Sequence, residues 1–139
     1  MKRFIFMAVL MAVPVAGMAE GFVISGSVLV RQAGVLHIYL TDEEQFSIPL
    51  SGIMEIRKDL EENRKQEIPF SFTDVPEGAY GIRLYVDTNG NGKLDRGLFG
   101  PSEPWGMSWQ GEPGKGIPRF EDIAFFVKRN IENILIDAR

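Results

Sequence analysis

The sequence predicts an all-β fold, a single antiparallel Greek-key β-sandwich of about seven strands carrying one long Gly/Pro/Trp loop. Three observations predict it. Short runs rich in β-branched and aromatic residues recur at near-regular spacing along the 139 residues, Gly, Pro and Asn clusters separate them, and no run sustains a helical period. Strands of that length bury their apolar faces by packing one sheet on another. With 45% apolar and 24% charged residues the chain reads as one globular domain, neither disordered nor a repeat array.

The first residues stand apart from that pattern. Lys2 and Arg3 precede an uncharged run from Phe4 to Val13, and Gly17-Met18-Ala19 places small residues where a signal peptidase reads. The expectation is a cleaved signal peptide over residues 1–19 and a single domain over 20–139. Its apolar run is about a dozen residues long, short of the roughly 20 a membrane-spanning helix needs, so no membrane insertion is expected after cleavage. Without a cysteine, lipid attachment and disulfides are both excluded. Cleavage removes two bases and no acid, so the net charge of −4 becomes −6, which gives little reason to bind nucleic acid or an anionic membrane surface. A periplasmic or secreted location follows, in which the core alone must hold the fold.

Phe22 to Val30 reads as the first strand, Gln32-Ala33-Gly34 as a turn, and Val35 to Leu40 as the second strand, with His37 within it. One histidine without cysteine or a second histidine makes neither a zinc site nor a triad, so a structural or solvent-facing role is expected for it. Residues 46–66 are ambiguous: an exposed strand and a polar hairpin is the preferred reading, a helical turn the alternative. Ile68 to Phe72 and Tyr80 to Val86 alternate on either side of Thr73-Asp74-Val75-Pro76-Glu77-Gly78, which reads as a hairpin. Phe120 to Val127 and Ile131 to Asp137 read as two closing strands joined at Lys128-Arg129-Asn130.

The most informative stretch leaves the strand that ends at Val86. In Asp87-Thr-Asn89-Gly-Asn91-Gly92-Lys93-Leu-Asp95, side-chain oxygens recur at alternate positions and Gly92 stands where a cation-wrapping loop turns sharply. Hard cations take several oxygen ligands at about 2.3–2.6 Å from loop positions 1, 3, 5, 7 (a backbone carbonyl) and 9. Those are Asp87, Asn89, Asn91, the carbonyl of Lys93, and Asp95. Position 12 is Leu98 where an EF-hand has Glu, and no helix leads in, so the loop is EF-like only in its ligand spacing. An Asn-Gly turn needs no metal, but it does not need spaced oxygens either, and a bound calcium ion is the expectation.

Gly97 to Pro118 holds both tryptophans in a Gly/Pro-rich segment too long for an idle connection. Two readings stand: Trp105 and Phe99 cap an open end of the core, or Trp105 and Trp109 present flat faces to a glycan or protein of the cell envelope. Glu103 supplies the missing acidic ligand if the segment folds back on the loop.

Four ordered motifs carry a resemblance. Phe72-Thr-Asp-Val-Pro-Glu-Gly-Ala-Tyr80, Asp87-x-Asn-x-Asn-Gly-Lys-Leu-Asp95, Gly100-Pro-x-Glu103-x-Trp-Gly106-x-Ser108 and Pro118-x-Phe120-Glu-Asp122-x-Ala124-Phe125 together resemble the bacterial exported family called domain of unknown function 2141, from about Gly26 to Ile136. The resemblance implies an exported β-sandwich of the transthyretin-like or carboxypeptidase-regulatory type, immunoglobulin-like or prealbumin-like in architecture, with no established activity. The chain departs from the family's usual Tyr at Trp105, Phe at Met107 and polar residue near Trp109.

Catalytic patterns are weak. Glu103 with Asp95 and Glu121 with Asp122 are the paired carboxylates, the latter on opposite faces if they lie on a strand. Ser108 lacks the second glycine of a nucleophile elbow, and no glycine run opens a helix to hold phosphate. The expected function is a non-enzymatic, calcium-stabilised exported module, with a metal-free envelope assembly module as the alternative and a glycan- or peptide-acting hydrolase as the remotest reading.

Overall fold

Alternating apolar side chains set the strands, and a computed structural model describes residues 21–139 of the chain. The leader expected over 1–19 lies outside the described residues. In chain order the elements are β1 (Phe22–Val30), β2 (Gly34–Thr41), α1 (Glu43–Phe46), β3 (Met54–Leu60), β4 (Gln66–Val75), β5 (Gly78–Asp87), β6 (Arg96–Gly97), β7 (Gly100–Pro101), β8 (Trp105–Met107), α2 (Phe120–Ile123), β9 (Phe125–Val127) and β10 (Ile131–Asp137).

The fold is all-β. One sheet has the order β10-β1-β4 and the other β3-β2-β5-β8, with β9 pairing the start of β5 and β6-β7 forming a small separate ribbon. Ile24, Val28, Phe70, Phe72 and Ile136 of the first sheet share one core with Leu36, Ile38, Leu40, Ile82, Leu84 and Val86 of the second. That shared core makes the two sheets a sandwich.

Several connections differ from the sequence expectation, and for one reason: alternation says which side chains point inward but not which strand is the neighbour. Ile68–Phe72 and Tyr80–Val86 form no hairpin, because β4 pairs with β1 and β5 with β2. The turn through Asp74, whose φ is 55°, instead carries the chain from one sheet to the other. Residues Glu61 to Lys65 likewise cross from β3 to β4, and Lys128 to Asn130 from β9 to β10. β10 runs parallel to β1, where an antiparallel neighbour was expected. Residues 120–123 form a helical turn, not a strand, because the Asp122 carboxylate accepts the Arg119 backbone N–H at 2.8 Å. It also packs Ile123, fully buried, against the outer face of β5, where Gly81 leaves room for it. In the ambiguous stretch β3 is the exposed strand, and the helical turn lies just before it, capped by Asp42 accepting from Gln45 N at 2.8 Å.

In the second sheet β2 is covered on both faces. His37, Tyr39 and Thr41 alternate with the core residues of β2, point away from the core, and are nevertheless buried. Arg83 helps to hold a cover over them. Its guanidinium donates to the carbonyls of Gln45 (3.0 Å), Phe46 (3.0 Å), Ser51 (2.6 Å) and Ile48, and lies 5.3 Å from the centre of the Phe46 ring. At the open side of the sandwich, Trp105 and Arg139 exchange backbone hydrogen bonds of 3.0 Å in both directions and tie β8 to the chain just beyond β10.

Candidate functional site

Asp87 ends β5 and starts the loop from inside the fold, with 3% of its surface exposed. Its two carboxylate oxygens accept the backbone N–H groups of Gly90 (2.9 Å) and Gly92 (2.8 Å). Both glycines have left-handed backbones, φ 72° and 73°, so the Asn-Gly pairs supply the sharp turns that bring those N–H groups inward. Two further side-chain turns follow, Asn89 Oδ1 accepting from Asn91 N at 3.2 Å and Asn91 Oδ1 from Lys93 N at 3.0 Å.

Asp95 closes the loop. The Asn89 amide donates to its carboxylate at 2.6 Å and the Asn91 amide to both of its oxygens at 2.9 Å. Those amides, Asn91 foremost, hold the Asp95 carboxyl below its usual range, since they bond the charged form. Three of the six residues singled out as ligands thus meet at one point. Among the described residues no three acidic or histidine side chains gather; the convergence is of one carboxylate with two amides.

The Gly/Pro segment does fold back, and Glu103 reaches the loop with 5% of its surface exposed. There it accepts Thr88 N at 2.9 Å and the Thr88 hydroxyl at 3.2 Å on one oxygen, and Asp95 N at 3.0 Å on the other. Glu103 therefore spans both ends of the loop as a clamp on its backbone. Ser102 N donating to the Asp95 carbonyl (2.8 Å) and Val86 N to the Pro104 carbonyl (2.8 Å) complete the attachment.

Trp105 and Trp109 stand edge to face, 6.4 Å between centroids at 68°. Both are half-buried along a groove of about 860 Å³ between the 105–118 segment and β10. Phe99 does not cap the core. It is 99% exposed beside Leu98 at 92%, at the tip of the β6-β7 ribbon, because a two-residue turn between such short strands holds its side chains clear of both sheets.

His37 has the expected structural place. Its ring stacks on Tyr85 (4.8 Å, 5°) and Tyr39 (6.2 Å, 9°), Nδ1 lies 2.9 Å from Glu55 Oε1, and Nε2 has no hydrogen-bond partner among the described residues. Ser108 is buried and spent, its hydroxyl accepting from Ile82 N and donating to the Ile123 carbonyl, each at 2.8 Å. Glu121 and Asp122 do not face opposite sides as they would on a strand, since both engage Arg119 at the start of α2. Sequence reasoning passed over Thr88, which has no cation-loop role, and Arg83, whose signal was a lone charge inside an apolar strand.

An all-β sandwich with an Asp/Asn loop clamped by a distant glutamate defines the class. The chain belongs to the family described as "Uncharacterized protein conserved in bacteria (DUF2141)", which matches residues 27–134. No curated protein and no solved structure matches it.

Proposed function

We propose that this protein is an exported, non-enzymatic binding module in which the Asp87 to Asp95 loop closes on a calcium ion and so fixes the adjoining 97–118 segment as a contact surface for an envelope protein or glycan. The observation that carries the reading is the convergence of the Asn89 and Asn91 amides on the Asp95 carboxylate, each within 2.6–2.9 Å of it. Turning both amides over gives up the turns in which their oxygens accept from Asn91 N and Lys93 N and brings two amide oxygens to the Asp95 carboxylate, an oxygen set that a hard cation at that point would hold together. Glu103 acts in this reading as the strut that transmits loop order to the segment. The exposed Leu98 and Phe99, and the tryptophan pair on the groove, support the contact surface, since large apolar groups left in water mark interaction sites. The non-enzymatic reading is supported by Ser108, whose hydroxyl bonds only backbone, and by His37, which pairs with Glu55 and not with a serine.

Calorimetric titration tests the ion. Calcium is expected to bind one-to-one and to be preferred over magnesium, which demands a tighter octahedron, with Asp95→Ala abolishing the heat. An unchanged titration in Asp95→Ala, or no binding by the native chain, overturns the reading.

A further inference from the structure

On the outer face of the larger sheet, sharing Trp105 and Met107 with the tryptophan groove, lies a second cavity of about 200 Å³. Tyr39 of β2, Tyr85 of β5 and Trp105 of β8 contribute rings to it, and Leu50 and Leu94 wall it from two different loops. Arg83, Lys93 and Arg96 also border it, and no carboxylate does. None of these three cations makes an ion pair among the described residues. Arg83 spends its N–H groups on carbonyls, which satisfy its donors and leave its charge without an anion. In a chain of net charge −4, three cations without an ion pair gather around a ring-lined hollow, with Asp95 within electrostatic reach of Lys93, and Glu55, Asp87 and Glu103 behind the tyrosines.

We propose that this cavity binds a small aromatic carboxylate, its ring against the tyrosines and Trp105 and its carboxylate toward Lys93 and Arg96. A cavity of roughly 150 Å³ accommodates benzene, so this one suits a single ring with a short substituent. The aromatic walls gain from burying a flat apolar body, and the rim cations compensate the carboxylate, with Arg96 able to bond both of its oxygens. A sugar fits less well, because the other lining side chains, Met107 and Leu84 among them, offer its hydroxyls few partners. The pocket is distinct from the calcium site, though Lys93 and Leu94 come from the same loop.

Benzoate is the probe, with calcium present throughout so that the loop stays closed. The readout is the two indole N–H resonances, assigned with Trp109→Phe. Benzoate is expected to shift the Trp105 signal saturably and the Trp109 signal little. Benzamide, of the same shape without the charge, is expected to bind at least about fivefold more weakly, and Lys93→Gln and Arg96→Gln to weaken benzoate about threefold each. Leu94→Trp fills the cavity and is expected to remove the response while the amide spectrum stays that of a folded chain. Should that variant fail to fold, the two substitutions at the exposed cations decide. Equal affinity for benzoate and benzamide, unchanged affinity in both cation variants, or no saturable shift up to about 50 mM overturns the proposal. Calcium titration reads the loop separately, so either can fail without the other.

Discussion

Glu103 is the residue on which the loop hangs. It lies 15 residues from Thr88 in sequence and accepts the backbone N–H groups of Thr88 and Asp95 in two part-buried bonds. Glu103→Ala removes both, and because water can replace the lost acceptor each bond is worth about 0.5–1.5 kcal/mol; a loss of about 1–3 kcal/mol in urea unfolding is expected, with amide exchange at Thr88 and Asp95 accelerated most. Asp95 sets the pH response. Its carboxyl is held below the ordinary value by the Asn91 and Asn89 amides, so its stabilising contribution is complete above the unfolded value of about 4 and is lost as pH falls through the lower folded one. Protection of the loop amides, taken relative to their intrinsic exchange at each pH, is therefore expected to fall on acidification below about pH 4, and to be independent of pH there in Asp95→Asn. The spaced oxygens of this loop were legible because Asx turns and Asn-Gly pairs act within a few residues. The role of Glu103 was half legible: the sequence suggested that it folds back, but whether it meets an ion or an N–H group is decided by where two distant backbones stop.

Elements show the same division between local and distant causes. β1, β2, β4, β5 and β10 follow from alternation and β-branched content, and each begins or ends within a few residues of its sequence signal. Their pairing was not legible. A strand with one apolar face suits either sheet, so the 73–78 turn reads as a hairpin in sequence and acts as a crossover in space. The 120–123 turn was misread for a related reason: Phe120 and Ile123 fit a helical face as well as a strand, and the cap that decides it is the Asp122 side chain returning to Arg119 N. Arg83 is the main inter-element tie, gathering four carbonyls of the 45–51 stretch with one planar fork. Arg83→Leu is expected to lose about 2 kcal/mol or more and to expose the outer face of β2, read as faster exchange at Ile53, whose N–H bonds the Leu40 carbonyl. Arg83→Lys is expected to recover little, since one ammonium cannot reach four acceptors in a plane.

At the scale of the molecule, the sandwich depends on β1 lying between an antiparallel and a parallel neighbour. Gly26 permits the parallel contact: a Cβ there would sit 2.0 Å from the Ile134 carbonyl oxygen, so Gly26→Ala must push β10 away. A cost of about 1–3 kcal/mol is expected from such overpacking, measurable as a lower urea midpoint with little change in slope. The outer edges are guarded. β3 is an edge strand with exposed Glu55, Arg57 and Asp59 at alternate positions, and charges of that kind discourage edge-to-edge assembly. Sizing chromatography is expected to give a monomer, whereas an envelope scaffold joined through its edges would elute as an oligomer with or without metal. The central claim, that an ion fixes the loop and the segment clamped to it, is tested most directly by thermal melting in calcium and in excess chelator. Saturating calcium is expected to raise Tm by about 10 °C, the shift that follows from roughly 2.7 kcal/mol of binding at a hundredfold excess over Kd, and Asp95→Ala is expected to remove the difference. Identical melting of the native chain in calcium and in chelator would contradict it.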